Sequence, residues 1–504
     1  MSKRVVGVSL IKVFVIAVVS LSALAAYANV STDEGARLEK PFTPCRLSDP
    51  TRLQSISAEC ATVSLAETDD PSSRRITLSV ARIPAVNRKK QIDPIVLLAG
   101  GPGQGAQLAF TAAASPFMRL SRERDILLID QRGTGGSNPL SCDTESQGIG
   151  GSIAFDVASF VSLNDRCRER LGLKNNLGAY TTSHAVRDLD AVRALLGYET
   201  LNLYAASYGT RVAQHYARRY PNRVRSMVLD GVVAPETVLG PGIARDAQVA
   251  LDGIWKRCSA DTACQKQFGD MREKTRALQL RLQRSPQPIQ LPNPRTAKLE
   301  SFAFGSEQLA VVLRFGSYDP HFAAMLPLVV TEAERGDFRP IGTLFLLTAG
   351  SIQDALAVGM HNSVVCSEDI PRFDSSSVDR ATVEATYLGA GILDALPAVC
   401  RAWPRGLVDS DFHQPLVSDI PTLMLSGSLD PVTPPADAER VGRNLKNSGH
   451  LIFDGAGHGQ IGLACMDRVL AEFYANLDPK ALNTQCLDRR MQPPFWLSLA
   501  GPAP

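Results

Sequence analysis

The chain has 504 residues, of which 44% are hydrophobic and 21% are charged, and its formal net charge is +2 at neutral pH. This balance is typical of a globular protein, and it excludes proteins that attract nucleic acid or anionic lipid through bulk charge. The length predicts a core large enough for one domain with a substantial insertion.

The first segment has the layout of a secretory signal peptide. Lys3 and Arg4 precede an apolar run over 13–26, which ends in small residues. The run is short for a bilayer span, which needs about 20 residues, and an uncleaved anchor is the alternative. We expect cleavage after Ala28, export to the periplasm or the external medium, and no stable membrane association afterwards. Removal of this segment, which holds three cations and no acid, lowers the formal charge from +2 to −1.

The ten cysteines are an even number in a chain that this segment marks for export. No CxxC motif or Cys/His cluster with metal spacing occurs among them, so disulfides are expected and a metal site is not. Sequence does not fix the connectivity. The simplest hypothesis is sequential pairing: Cys45 with Cys60, Cys142 with Cys167, Cys258 with Cys264, Cys366 with Cys400, and Cys465 with Cys486.

In chain order, the first predicted strand lies in RRITLSVARIP, where Ile76, Leu78 and Val80 alternate with smaller residues. This period predicts an antiparallel strand with one buried face. Six later runs are short and almost continuously apolar, which suits parallel strands that are buried on both faces. They cover 95–100, 125–130, 201–207, 224–232, 422–427 and 450–457.

Helical patterns lie between these strands. One helix is predicted to begin at Thr182 or Ser183 as its cap, with one apolar face formed by Val186, Leu189, Val192 and Leu196. A second follows residue 207, with Val212 and Tyr216 on one face. Alternating strands and helices predict an α/β sheet with helices on both sides.

This alternation stops after about Pro235 and resumes near Ile420, and the stretch between them is mostly helix-like. We therefore expect a single catalytic domain that is interrupted by a lid. The predicted organisation is a signal peptide over 1–28, the first part of the catalytic domain over 29–235, a cap over 236–415, and the second part over 416–504.

The sequence AASYGT (205–210) joins a predicted strand directly to a predicted helix. Small residues flank Ser207, as in the nucleophile elbow GxSxG, whose turn brings strand and helix into contact. Ala205 replaces the first glycine, a one-carbon change that the turn can accommodate. We predict that Ser207 is a nucleophile; the alternative is a structural serine.

A serine hydroxyl needs a base to take its proton, and the base needs an acid to orient it. His458 follows the last predicted strand in GAGHG and is the predicted base. Asp430 follows the preceding predicted strand in GSLDPVTP and is the predicted acid, with Asp454 and Asp437 as alternatives. His450 is predicted to lie on the surface, ahead of the last strand.

Acyl transfer also needs backbone donors for the developing oxyanion. The loop GGPGQG (100–105) allows close backbone approach, and we assign this role to the amides of Gly101 and Tyr208. The alternative is a flexible turn or a weak phosphate loop, but the segment lacks the lysine and the spacing of such loops. Chemistry of this kind requires neither a metal nor an organic cofactor.

Together these motifs resemble the proline iminopeptidase and tripeptidyl aminopeptidase family of α/β-hydrolases. The matching pieces are GGPGQG (100–105), DQRGTGGS (130–137), 206–232, GSLDPVTP (427–434) and GAGHG (455–459), which span most of the catalytic domain. The resemblance implies the α/β-hydrolase fold, with a mostly parallel sheet, helices on both faces and an inserted, mainly helical cap. Ala99, where proline iminopeptidases usually carry histidine, and the region from about Arg401 are closer to the secreted tripeptidyl aminopeptidase branch.

The resemblance further implies a serine exopeptidase that releases residues or short peptides from free amino termini. Such enzymes hold the substrate's ammonium group with cap carboxylates, and the candidates here are Glu368 and Asp369. A carboxylesterase or lipase that hydrolyses small esters with the same triad is the alternative, because fold does not fix function. A non-catalytic α/β-hydrolase binding protein is a more remote alternative.

Overall fold

The computed structural model describes residues 35–49, 54–142, 157–488 and 492–502. The predicted signal peptide lies outside these residues. The strands are β1 (Arg37–Ser48), β2 (Ser55–Ala66), β3 (Arg75–Ile83), β4 (Ile95–Leu98), β5 (Ile126–Ile129), β6 (Leu201–Ala206), β7 (Val224–Asp230), β8 (Gln287–Pro292), β9 (Leu299–Phe304), β10 (Thr422–Gly427) and β11 (Ser448–Phe453).

The α-helices in the same ranges are α1 (Ala106–Ala112), α2 (Ala114–Leu120), α3 (Val157–Gly172), α4 (Thr182–Leu195), α5 (Tyr208–Arg219), α6 (Ile243–Ala260), α7 (Thr262–Phe268), α8 (Met271–Arg284), α9 (Ser306–Gly316), α10 (Pro320–Glu334), α11 (Arg339–Ala355), α12 (Val358–Glu368), α13 (Arg380–Glu384), α14 (Gly391–Cys400), α15 (Pro435–Gly442) and α16 (Met466–Asn476). Short 3₁₀ turns cover Leu177–Ala179, Pro221–Arg223, Ile370–Arg372 and Ser375–Ser377.

One sheet of the described residues has the strand order β1-β2-β3-β5-β4-β6-β7-β10-β11. The pairs β1/β2, β2/β3 and β3/β5 are antiparallel, and every pair from β5 to β11 is parallel. The predicted early antiparallel strand and the six predicted parallel strands are therefore confirmed. The first two strands were not predicted, because most of the residues on β1 are exposed and the small polar residues of β2 obscure the alternation.

Helices cover both faces of this sheet, as predicted. On β6, Leu203 packs in a core cluster with Val186 of α4 and Val212 of α5. The next residue, Tyr204, points to the opposite face, where it belongs to a second cluster with Phe117 of α2. Alternate side chains of one buried strand thus support two layers of helices.

Three local predictions were wrong. The cap residue of α4 is Thr181, so Thr182 and Ser183 lie inside the helix. His450 lies within β11 rather than ahead of it, and it is half-buried with its Nε2 atom 2.9 Å from Ser426 Oγ. The strand β11 is at the edge of the sheet, so it is not buried on both faces, and Ile452 is 49% exposed.

Between β7 and β10 the chain leaves the sheet and forms α6 to α14. Helices α6 to α11 have their own hydrophobic core, to which Trp255, Leu309 and Phe345 belong. Helices α12 and α14 instead pack into the core cluster that contains Leu203 of β6. The antiparallel hairpin formed by β8 and β9 was not predicted. Its first strand lies within residues 285–295, which are rich in proline. All of these elements fall inside the predicted cap, 236–415.

The cysteines pair in sequential order, which confirms the hypothesis drawn from the sequence. The bridges are Cys45–Cys60, Cys142–Cys167, Cys258–Cys264, Cys366–Cys400 and Cys465–Cys486. Within the described ranges no helix has the length and apolar character that a membrane crossing requires.

Candidate active site

The three predicted triad residues follow three parallel strands. Ser207 comes directly after β6, Asp430 three residues after β10, and His458 five residues after β11. The carboxyl ends of parallel strands lie at one edge of the sheet, which is where open α/β sheets bind their ligands. The strand order therefore brings residues that are far apart in sequence to the same edge.

The turn at Ser207 is tight and strained. Its backbone angles are φ 55° and ψ −126°, a combination that a non-glycine residue rarely adopts. A Cβ atom at Gly209 would lie only 2.2 Å from the carbonyl oxygen of Leu98, so only glycine lets α5 approach β4 this closely. Ala205 lies within β6 and is fully buried in the core, so the structure accommodates the methyl group that replaces the usual first glycine.

The His458 ring is held by Asp430. Its Nδ1 atom lies 2.7 Å from Asp430 Oδ2, and Asp430 is 3% exposed. The amides of Val432 and Thr433 donate to Asp430 Oδ1 at 3.0 and 2.9 Å, and Thr433 Oγ1 donates to Oδ2 at 2.8 Å. The carboxylate thus keeps a fixed orientation and remains an acceptor for the imidazole.

Electrostatics at His458 favour its role as a base. Burial lowers the pKa of the ring, but the charge of Asp430 and its hydrogen bond act in the opposite direction, so the pKa of His458 lies above its ordinary value. An imidazole with a raised pKa is a stronger proton acceptor, and the imidazolium that forms on proton uptake is stabilised by the adjacent carboxylate.

Backbone contacts place Ser207 and His458 next to each other. The amide of Ser207 donates to the carbonyl of Asp230 at 2.9 Å, and a Cβ atom on the following residue, Gly231, would lie 2.9 Å from His458 Cε1. Among the described residues no hydrogen bond joins Ser207 Oγ to His458. In enzymes without substrate such bonds are often long and shorten only in the complex.

Asp230 is a positioning residue that the sequence analysis did not identify. It is 1% exposed and accepts hydrogen bonds from the amides of Gln460, at 2.7 Å, and Ile461, at 3.1 Å, and from Tyr204 Oη, at 2.5 Å. These bonds fix the loop that carries His458. The position of Asp230 at the carboxyl end of β7, in the sequence LDG, is the signal from which this residue could have been identified.

The glycine loop passes directly over the nucleophile. A Cβ atom on Gly100 would lie 2.9 Å from Ser207 Cβ, and Gly101 has a φ of 107°. Tyr208 is the first residue of α5, so its amide has no acceptor within the helix. The structure therefore brings the loop that carries Gly101 and the amide of Tyr208 next to the nucleophile, and their roles as oxyanion donors stay a prediction.

The two predicted cap carboxylates already have partners inside the protein. Glu368, 1% exposed, accepts from the amide of Thr182 at 2.6 Å and from its Oγ1 atom at 2.9 Å. Asp369, fully buried, pairs with Arg211 Nη1 at 3.0 Å and accepts from the amide of Leu239 at 2.8 Å. A substrate ammonium would have to displace one of these partners.

We expect Glu368 to make stability pH-dependent. Burial raises its pKa to about 8, while the amide of Thr182 acts in the opposite direction. The unfolded state then loses its proton near pH 4.5 and the folded state near pH 8, so this carboxyl lowers stability as the pH rises between these values. In Glu368→Gln, the decrease of the unfolding free energy with rising pH is expected to be smaller than in the wild type, by roughly 1 kcal/mol per pH unit.

Thermal unfolding of both proteins between pH 5 and 8.5 measures this difference in slope. Glu384→Gln, at an exposed carboxyl on α13, is the matched control and is expected to leave the slope unchanged. A Glu368→Gln variant with the wild-type slope would contradict the assignment.

Within the described ranges no group of three His, Cys, Asp or Glu side chains could hold a metal ion. The arrangement at the sheet edge contains a hydroxyl, an imidazole, a carboxylate and backbone amides, which are the groups that acyl transfer at a serine requires.

Comparisons with known proteins point to the same chemistry. The family model for the alpha/beta hydrolase fold matches residues 93–256, and the model for TAP-like proteins matches 386–486. The serine protease Hip1 of Mycobacterium tuberculosis is 26% identical over 476 residues, which cover 86% of this chain and 88% of that protein.

Two further relatives match over shorter stretches. Tripeptidyl aminopeptidase of Streptomyces coelicolor is 30% identical over 202 residues, 37% of each chain. Carboxylesterase B of Mycobacterium tuberculosis is 29% identical over 248 residues, 45% of this chain and 46% of that one. The chain is a serine hydrolase with the α/β-hydrolase fold, and it is similar to TAP-like proteins over 386–486 and to tripeptidyl aminopeptidase over 202 residues.

Proposed function

We propose that this protein is an exported aminopeptidase, which releases residues or short peptides from free amino termini through an acyl-enzyme at Ser207. The observation that carries the chemistry is the pair of His458 Nδ1 and Asp430 Oδ2 at 2.7 Å, next to the strained turn of the nucleophile. The assignment of a peptide substrate is supported by the similarity to two proteins, a serine protease and a tripeptidyl aminopeptidase.

In this mechanism Ser207 Oγ attacks the scissile carbonyl and gives its proton to His458 Nε2. The amides of Gly101 and Tyr208 stabilise the oxyanion, and Asp430 stabilises the imidazolium. Cleavage of the carbon–nitrogen bond passes the proton to the leaving amine. Water then attacks the acyl-enzyme in the same way and regenerates the serine.

For the amino terminus, we propose Glu368 and Asp369 as the groups that bind the ammonium. Burial keeps Glu368 mostly protonated near neutral pH, and a substrate ammonium next to it would stabilise its charged form, whereas a blocked amino terminus would offer no such partner. Arg211 already neutralises Asp369, so Glu368 is the carboxyl to test first. If Glu368 binds the ammonium, Glu368→Gln raises KM for free-amine peptides; an unchanged KM removes it from the site.

The second candidate is a carboxylesterase, which the match to carboxylesterase B favours. Chromogenic prolyl, alanyl and tripeptidyl amides, their amino-blocked forms and a short-chain ester separate the two, with Ser207→Ala as the control. Amide cleavage that needs a free amine and disappears in the variant supports the aminopeptidase and shows its step length. Cleavage of the ester without cleavage of any amide supports the carboxylesterase instead.

Export is supported by the signal-peptide layout of 1–28 and by the five disulfides, which persist in oxidising compartments. Amino-terminal sequencing of protein recovered from the periplasm and the medium tests it. A mature chain that starts at Asn29 supports cleavage after Ala28. Full-length protein in the cytoplasm would overturn the proposal.

A further inference from the structure

Five buried polar atoms of the cap have no hydrogen-bond partner among the described residues. Three of them are Arg314 Nε, His361 Nδ1 and Tyr387 Oη, and the other two are Arg257 Nη2 and Asp411 Oδ1. Buried polar groups in proteins are almost always hydrogen-bonded, because an unpaired group costs free energy. Three such atoms in one region indicate a place where a ligand supplies the missing partners.

These groups lie beside the candidate catalytic residues. Arg314, in the last turn of α9, has its Cζ atom 5.1 Å from the centre of the Phe315 ring, and Phe315 stacks on Tyr318 at 5.2 Å. The Tyr318 ring meets the edge of the His458 ring at 5.0 Å, and its carbonyl accepts from the amide of His458 at 2.8 Å. A continuous row of side chains thus leads from the guanidinium to the base.

His361 connects the same region to the glycine loop. The carbonyl of Pro102, which follows Gly101, acts on the pKa of His361 as a hydrogen-bond acceptor. Burial, with a further contribution from the charge of Arg314, lowers the pKa of His361 to about 4. The ring is therefore neutral at neutral pH and does not compensate or add to the positive charge.

Arg314 is a cation without a counter-ion. In the part of the chain that the structure describes, its side chain forms no ion pair and its Nε atom has no hydrogen-bond partner. Burial raises the pKa of Tyr387, and the positive charge of Arg314 opposes that shift. The same charge acts on His458. The guanidinium of Arg314 is thus within electrostatic range of His458, His361 and Tyr387.

We infer that Arg314 and Tyr387 bind a carboxylate of the substrate close to the scissile bond, so that this enzyme prefers acidic substrates. The guanidinium offers a planar pair of N–H donors and the tyrosine a hydroxyl, which together suit the two oxygens of a carboxylate. This preference rests on the proposed hydrolysis at Ser207. Both cap carboxylates are engaged elsewhere, so neither competes for Arg314.

Two sources could supply this carboxylate: an acidic side chain, or the free carboxyl terminus of a short peptide. A neutral analogue would leave the buried Nε atom of Arg314 without a partner, and sites that hold a buried polar group in this way discriminate strongly against such analogues. A charge-assisted hydrogen bond contributes about 1.5–3 kcal/mol, which corresponds to a preference of about 10- to 100-fold.

Matched substrates test the inference on the full mature chain. One pair of chromogenic peptides differs only in glutamate against glutamine, and a second pair of short peptides differs only in a free carboxyl terminus against an amide. We expect wild-type kcat/KM to favour at least one carboxylate form about 10- to 100-fold. A preference within the first pair identifies an acidic side chain as the source of the carboxylate. A preference within the second pair identifies the free carboxyl terminus as the source.

Arg314→Gln is expected to reduce that preference to about onefold, and Arg314→Lys to retain part of it, because lysine keeps the charge but not the planar pair of donors. Arg335→Gln, at an exposed arginine after α10, is the matched control and is expected to keep the wild-type ratio. Equal kcat/KM for both members of each pair in the wild type, or an unchanged preference in Arg314→Gln, would overturn the inference.

A binding measurement separates this inference from the proposed peptidase function. Ser207→Ala and Ser207→Ala/Arg314→Gln are titrated with the same peptides by calorimetry, and an ester with a terminal carboxylate is compared with its methyl ester in turnover. Cleavage of the peptides without a preference for a carboxylate would contradict this inference and leave the proposed peptidase function supported. The opposite outcome is binding and ester cleavage that select for a carboxylate and depend on Arg314, without any peptide cleavage. That outcome would contradict the peptidase function and support this inference.

Discussion

Asp430→Asn is expected to lower kcat by about 10⁴-fold and to leave the fold intact. In the wild type, Asp430 Oδ2 faces His458 Nδ1 at 2.7 Å, while backbone amides hold Oδ1. An asparagine amide has nearly the same shape, but it removes the charge that stabilises the imidazolium and can hold the ring in the wrong tautomer. The measurement is kcat on the best substrate of the panel, with circular dichroism to check the fold.

The two alternative acids provide matched controls for this result. Asp437 pairs with Arg440 and Thr237, and Asp454 accepts from Ser428 Oγ at 3.2 Å. Neither is bonded to His458 in the described structure. Asp454→Asn is therefore expected to keep nearly wild-type kcat, and an inactive Asp454→Asn beside an active Asp430→Asn would reverse the assignment.

The largest effect on stability is expected from Asp369→Asn, which should lower the unfolding free energy by about 3–5 kcal/mol. Arg211 is 1% exposed, and its Nη1 atom pairs with both oxygens of Asp369, at 3.0 and 3.2 Å. Removal of the carboxylate charge leaves a buried guanidinium without a counter-ion. Because Arg211 lies in α5, four residues after Ser207, the variant is also expected to lose activity.

Thermal unfolding at a fixed scan rate, with the disulfides kept intact, measures this loss. Asp394→Asn is the matched control, because its salt bridge with Arg380 is exposed and such pairs contribute about 0–1 kcal/mol. The double variant Arg211→Met/Asp369→Leu removes both charges and is expected to recover most of the stability. Equal unfolding temperatures for Asp369→Asn and Asp394→Asn would contradict this account.

Much of the catalytic half of the fold was predictable because it depends on local patterns. Short apolar runs identified every parallel strand, and residues at the ends of three of those strands gave Ser207, Asp430 and His458. The structure places all three at one sheet edge, while their catalytic roles stay predictions. The cap of α4 was misplaced by one residue because three adjacent hydroxyl residues, 181–183, are equally good caps by sequence.

The features that sequence did not reveal are those that depend on tertiary partners. Glu368 and Asp369 read as free lid acids, yet the fold pairs them with Thr182 and Arg211. The sequence analysis did not single out Arg314, and only the structure shows that its side chain has no counter-ion among the described residues. Whether a charge is neutralised is decided by the residues that pack against it, and these lie far away in the sequence.

The order of the disulfides has a consequence for how the chain matures. Each bridge joins neighbouring cysteines in the sequence, with separations of 6 to 34 residues. An oxidase that links each cysteine to the next one to emerge would therefore make the native set directly, from the first bridge to the last. Oxidative folding of this enzyme would need little help from an isomerase, because consecutive joining already gives the correct pairs.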